Sequence, residues 1–297
     1  MTTPATSPLR VGPLDMLWLT WRQHRIAIVS GGVLVAAFYT FTRVILPQEH
    51  INVDTCSPHC GEMSVFGLAW LPTWVVLDAM GWLASAFGFL IAVYWAAPMI
   101  AREYEQRTDV LAWGQDVSVT AWVFGKIALL GVVAAGYAAV IGLAMSALVM
   151  PWGSIQPIVR ANFESAVPVQ MAYALFGIVL GVAVSAFVRR TVAAMAITAA
   201  LFGIVRFVAY ELRFTYLPPV RIEIPLTGSY TSFTVPRNLW QNLSDLGGPG
   251  HTILVLDYQP VDRLAAFRLI EIAIFVVLTA ALAIAAWLRM RRAASSR

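Results

Sequence analysis

Long apolar runs separated by short polar stretches dominate the chain. Six runs reach the roughly 20 residues that an apolar helix needs to cross a hydrocarbon core. They cover about 26–46, 77–101, 122–150, 166–188, 191–211 and 268–288. The pattern predicts an all-α membrane protein with six transmembrane helices in a single transmembrane domain over 1–297. The first run holds Arg43 near one end, where a long side chain can snorkel to the interface. The fourth, AVPVQMAYALFGIVLGVAVSAFV, is rich in Gly and Ala, which permits close helix–helix approach. Only Arg189-Arg190-Thr191 separates the fourth from the fifth, so these two form a tight antiparallel hairpin. Stretch 65–76, VFGLAWLPTWVV, is too short and too broken by Pro72 to span, and is expected as an interfacial or re-entrant piece. The first run lacks a small-residue cleavage site and is expected to be retained as a span. No internal repeat aligns the two three-span halves.

The polar punctuation sets orientation. Arg10, Arg22 and Arg25 precede the first run, and Arg102, Arg107 and Lys126 surround the gap between the second and third. Arg189 and Arg190 join the fourth and fifth, and Arg289, Arg291, Arg292 and Arg297 close the chain. With six spans, all of these fall on one side, which the positive-inside rule makes cytoplasmic together with both termini. The opposite side receives the long loop 212–267, with Arg213, Arg221, Arg237 and Arg263 among similar numbers of acids. Long loops translocate largely regardless of charge. Alternation in Val220–Ile224 and in Thr252–Leu256 predicts short strands within this loop.

Composition agrees. The chain is 59% hydrophobic and 12% charged, with mean hydropathy +0.73, whereas a soluble domain carries about 25% charged residues. A net charge of +4, dispersed beside apolar runs, forms no patch for nucleic acid.

Two polar segments are helix-competent. In PLDMLWLTWRQHR, Leu14, Leu17, Trp18 and Trp21 recur at helical spacing, with Arg22 and Arg25 closing the segment. An interfacial amphipathic helix over 13–25 is expected, anchored in membrane lipid by Trp18, Trp21, Arg22 and Arg25. Between the second and third spans, PMIAREYEQRTDVLAWGQDVSVTAWVFGK turns abruptly charged at Arg102. Tyr104, Thr108, Leu111 and Gln115 share one helical face, Gly114 is a plausible stop, and Asp116 or Ser118 can cap the start of the third span. A short helix over 102–115, tied at both ends to spans, is expected; a solvated loop is the simpler alternative.

The order Arg102-Glu103, Glu105, Thr108, Leu111, Val117-Ser118, Trp122 and Gly125-Lys126 resembles the second-to-third-span loop of ABC transporter permeases of the type-2 exporter family. Arg107 departs from it, standing where that family usually has Gly. Leu17-Trp18-Leu19-Thr20-Trp21-Arg22-Gln23 is similar to the opening of its small stand-alone actinobacterial permeases. Arg206 with Leu212-Arg213-Phe214-Thr215-Tyr216-Leu217-Pro218-Pro219 resembles the exit from its fifth span. Tyr258-Gln259-Pro260, Arg263 and Glu271 resemble the entry to its sixth.

The resemblance implies a bacterial plasma-membrane permease that exports a hydrophobic or amphipathic compound. It would pair with a second permease copy, identical or not, and with separate ATPase subunits that hold ATP and Mg. Arg102, Glu103, Tyr104, Glu105, Arg107, Thr108 and Leu111 would then form a coupling helix seated in a groove of the ATPase. The chain itself is expected to be no enzyme and to bind no cofactor. Its only Gly-Lys, Gly125-Lys126, has Thr120 where a phosphate-binding loop needs Gly, and it enters a membrane helix rather than following a strand.

Cys56 and Cys60, in NVDTCSPHCGEM, fall on the translocated side. They most simply form a short-loop disulfide; the alternative is a zinc or copper site with His59 and His50. Arg43, Arg206, Arg268 and Glu271 lie near the outer ends of spans, which disfavours a proton path through the bilayer centre. Arg268 and Glu271, at i and i+3, are expected to pair locally. The four histidines, His24, His50, His59 and His251, show no metallopeptidase spacing. A membrane-embedded accessory protein or enzyme, and a secondary transporter, are the competing readings. The absence of intramembrane acid clusters and of repeats weighs against them.

Overall fold

The computed structural model describes residues 13–45, 62–65, 69–107, 119–149, 163–225, 238–245 and 253–295. Among these, six helical rods are long and apolar enough to cross a membrane. The first, α1, runs Pro13–Thr40 and passes into a π-helical turn, Phe41–Ile45. The helix expected to lie separately over 13–25 is therefore the beginning of the first span. WRQHRIAI contains neither Gly nor Pro, so nothing interrupts the hydrogen-bond ladder between the two.

The second span joins α2 (Thr73–Leu90), a π-helical segment (Ile91–Ala96) and α3 (Ala97–Glu105). Its start gives a form to 65–76, the stretch expected not to span. Strands β1 (Glu62–Val65) and β2 (Ala69–Pro72) form an antiparallel hairpin, in register Glu62↔Pro72 to Val65↔Ala69, and α2 begins at once. Pro72 fits the last position of a strand, where the ladder ends anyway. The remaining spans are α4 (Val119–Val149), α5 (Val167–Val188), α6 (Thr191–Arg213) and α7 (Leu264–Ser295), each near its expected range.

Between α6 and α7 lies a three-stranded antiparallel sheet of β3 (Val220–Pro225), β4 (Asn238–Asp245) and β5 (Ile253–Pro260), in the order β3-β5-β4. The two expected strands pair with each other, Val220↔Tyr258 through Pro225↔Ile253. The third, NLWQNLSD, is polar and bulged near Asn238 and gives no clean alternation. A 3-10 turn, Val261–Arg263, leads straight from β5 into α7. Gln259 Nε2 donates to the Leu217 carbonyl at 2.6 Å and Arg263 Nη1 to that of Pro218 at 2.9 Å, so the sheet is tied to the chain leaving α6.

α5 is the hub. Of its most apolar stretch 78% is buried, against 17% for α1, 22% for α6 and 17% for α7. The Gly and Ala content of this span now has a specific cause. A Cβ at Gly177 would lie 2.8 Å from the Gly88 carbonyl, and one at Gly181 would lie 2.5 Å from Ala96 Cβ. These two positions, four residues apart, let the backbone of the second span close on α5, the small-residue contact expected where no hydrophobic force drives helices together in lipid. Ser185, one turn further, sits 2.6 Å from the Ala97 carbonyl and 2.7 Å from that of Gly181, its one proton shared where the π segment returns to α-helix.

Candidate coupling site

α3 changes character within one turn. Ala97–Ala101 are buried, and the polar residues then begin at Arg102. The helix ends at Glu105, Gln106 caps it, and Arg107 adopts a left-handed backbone with φ 55°. The Gln106 N–H reaches the Arg102 carbonyl at 2.9 Å and the Arg107 N–H that of Tyr104 at 3.3 Å. The helix that enters the expected 102–115 segment stops at Glu105, where Arg107 turns the chain out of it. This is the position where the resembled family has Gly, the residue that takes this conformation without steric cost. The arginine supplies the same turn at a cost of about 1–2 kcal/mol. Thr108 and Leu111 lie outside the described residues.

Each of the last three residues of α3 meets a different helix or turn. Glu103 forms an ion pair with Lys126 of α4, whose ammonium is 1% exposed and stands 4.6 Å from the Trp122 ring. Tyr104 lies beneath the Arg189 guanidinium, 5.1 Å from the ring centre, at the α5–α6 connection. Arg189 is left-handed too, φ 54°, and its N–H closes α5 on the Ser185 carbonyl at 3.1 Å. Glu105 accepts from the Thr191 backbone N–H at 2.9 Å and from its hydroxyl at 2.7 Å. The first N–H groups of a helix have no partner inside it, and the residue before α6, Arg190, offers no side-chain cap. A carboxylate from another helix caps α6 instead, and the positive end of the helix favours its charge.

A second cluster occupies the opposite end of the bundle. Arg213, the last residue of α6, is fully buried and holds Glu271 of α7 with two hydrogen bonds, Nε to Oε2 at 2.8 Å and Nη2 to Oε1 at 2.9 Å. Arg206 reaches Glu164 at 2.7 Å and Glu271 at 3.6 Å. Arg213 approaches Glu164 at 3.3 Å, Ser85 donates to Glu164, and Tyr173 donates to Glu271. Each guanidinium also covers a ring, Arg206 at 3.5 Å from Tyr173 and Arg213 at 3.7 Å from Phe163. Two cations thus balance two anions in a site almost closed to solvent. Burial pushes the Glu164 carboxyl up, but Arg206, Arg213 and the Ser85 hydroxyl more than reverse this and hold it below its ordinary value of 4.5. Arg206 and Glu271 each lie seven residues inside their helices, about 10 Å from the ends.

A family model described as ABC-2 membrane transporter related matches residues 29–213, from α1 to the last residue of α6. The chain belongs to this family. No curated protein and no solved structure matches the chain. The ABC-2-related region includes both the α3 contacts and, apart from Glu271, the charged members of the buried cluster. With six apolar helices, this ABC-2-related chain is a multi-pass membrane protein.

The other expected positions are spread out. Trp18 is 60% and Trp21 43% exposed on α1, with the Arg22 guanidinium 5.5 Å from the Trp18 ring and Arg25 exposed. Cys56 and Cys60 lie outside the described residues. The local Arg268–Glu271 pair is replaced by a longer-range one, since Arg213 presents a two-pronged fork to the carboxylate while Arg268 Nε donates to the Phe163 carbonyl at 3.2 Å. Glu164 does not stand out in the sequence, and Arg213 is marked only as part of the stretch that resembles a fifth-span exit. Glu164 precedes a span by a few residues, and Arg213 reads as the first cation of a loop. The one usable signal was the burial cost itself: a charge within two turns of a span's end demands a partner of opposite sign.

Proposed function

We propose that this chain is the permease subunit of an ATP-driven ABC transporter, exporting a hydrophobic or amphipathic compound together with a second permease copy and separate ATPase subunits. Its basic end, with both termini, faces the cytoplasm of a bacterial cell, and Trp18, Trp21, Arg22 and Arg25 anchor α1 in the lipid there. The observation that carries the reading is the grip of Glu103, Tyr104 and Glu105 on three separate parts of the bundle. A partner pressing on the segment from Arg102 to Glu105 would move α4 through Lys126 and α6 through Thr191.

The test is co-expression with candidate ATPase subunits, followed by pull-down and ATP turnover in a reconstituted complex. Glu105→Gln is expected to leave assembly intact and to reduce the permease's effect on ATP turnover about tenfold, within the range of typical coupling energies. Tyr104→Ala with Leu111→Ala is expected to weaken assembly itself. If both variants assemble and turn over ATP like the parent, the coupling role is wrong.

A further inference from the structure

Two cavities lie end to end along the cleft between α1 and the second span. The one at the basic end, of 390 Å³, is lined by Gln23, His24, Arg102 and Glu103 above Pro98 and Met99. The other, of 410 Å³, is bounded by Leu34 and Phe38 of α1, Leu83, Phe87 and Leu90 of α2, and Ile141 of α4. Both are lined by Tyr94 and Trp95, so the polar and apolar chambers adjoin at these two rings. Each volume falls in the ordinary range for a small-molecule site, about 300–1,000 Å³.

The apolar chamber offers an occupant almost no hydrogen bonding. Two of its three hydroxyls are spent on backbone, Ser30 Oγ donating to the Ala27 carbonyl at 3.1 Å and Tyr137 to that of Ile28 at 2.6 Å, and the third, Tyr94, lines the polar chamber as well. Tyr94 and Trp95 stand on the π-helical segment, whose wider turn aims side chains where a regular helix would not. Gly31 admits the Trp95 ring, since a Cβ there would lie 2.9 Å from it. In the polar chamber Glu103 is held by Lys126, while Arg102 is exposed and has no carboxylate within ion-pair distance among the described residues. The polar chamber thus offers one guanidinium outside any ion pair among the described residues, and the apolar chamber is walled by hydrocarbon.

We propose that this cleft binds a single-chain anionic amphiphile, its apolar tail between α1 and α2 and its carboxylate or phosphate beside Arg102. The order of the two chambers fixes the pose, with the head toward the basic end. The site stands on cavity geometry and charge, independently of whether the chain couples to an ATPase.

The full chain, reconstituted in phosphatidylcholine nanodiscs, is photolabelled with diazirine-bearing palmitate and diazirine-bearing lysophosphatidic acid, and the labelled peptides are mapped by mass spectrometry. Label is expected on Ser30–Phe38 and Leu83–Leu90. Arg102→Gln should lower it about tenfold, as loss of a charge-assisted contact implies, and Arg102→Lys should recover most of it. Leu34→Trp, at a position 69% exposed and so tolerant of bulk, should plug the groove and abolish labelling, with circular dichroism confirming that the variant stays helical. Stronger labelling by one probe identifies carboxylate or phosphate as the preferred head. Two results would overturn the proposal. One is undiminished labelling in Arg102→Gln. The other is equal labelling of these peptides by a diazirine phosphatidylcholine, which would make the cleft an ordinary lipid contact.

Discussion

The two ends of the bundle solve the same problem, tying helices together with charge, in opposite ways. At the basic end each contact is a single clasp near solvent: one carboxylate on one ammonium, another on one helix terminus. At the sheet end Arg206, Arg213, Glu164 and Glu271 share partners in a buried, electrically neutral set. The exposed Glu105 clasp on α6 can open without stranding charge, whereas parting Glu103 from the buried Lys126, or removing one member of the buried set, leaves an uncompensated ion. The sheet end is thus the fixed joint of α5, α6 and α7, and the Glu105–α6 contact is the part of the basic end free to change.

The largest test breaks the fixed joint. Glu271→Leu leaves Arg213 buried without its main partner and should cost about 3–5 kcal/mol. Adding Arg213→Met should recover much of that loss, because an apolar pair of similar volume replaces the ions. Thermal unfolding of the purified protein in detergent measures both. If the double variant is no more stable than the single one, the set is not acting as a unit.

At the other end, Glu103→Ala should cost about 1.5–3 kcal/mol, the range for a hydrogen bond to a charged group. Its partner Lys126 is buried while Glu103 itself is partly exposed. The same melting assay should place it clearly below Glu271→Leu; a larger loss would reverse the ranking of the two ends.

Acid separates the ends without mutation. Because Glu164 is held below 4.5, its contribution is complete above that pH and is lost only as pH falls through the lower value it has when folded. Melting temperature tracked from pH 7 downward should therefore keep this contribution until below pH 4.5. An onset near neutrality that Glu164→Gln removes would contradict the assignment. The smallest expected effect is a gain. Arg107→Gly relieves the left-handed arginine and should stabilise by about 1 kcal/mol, less whatever the freer glycine adds to the unfolded chain's entropy.

Hydropathy alone located all six spans, because membrane-length apolar runs leave few alternatives. Resemblance located the segment from Arg102 onward, and its one departure, Arg107, falls on the residue whose backbone the glycine would have served. The pairing within the buried set was illegible for a different reason, although the resemblance marked Arg206, Arg213 and Glu271. Its contacts join Glu164 to Arg213, 49 residues apart, and Tyr173 to Glu271, 98 apart, and no local spacing encodes such pairs. The hairpin of β1 and β2 and strand β4 escaped notice because four-residue strands and a bulged polar strand carry too little alternation to register.

The π-helical segment between Leu90 and Ala97 can also be seen as a phase setting. An α-helix advances about 100° per residue, so a π turn rotates everything beyond it by about that angle relative to an uninterrupted helix. Phe87 looks toward α1 before the segment, and Glu103 and Glu105 meet α4 and α6 after it. Deleting one residue between Ile91 and Ala96 would regularise the rod and preserve its composition. Because the deleted residue cancels the lost rotation, Glu103 and Glu105 would keep facing their partners, whereas regularising the segment at full length would swing the end of α3 by more than a quarter-turn and carry both carboxylates away.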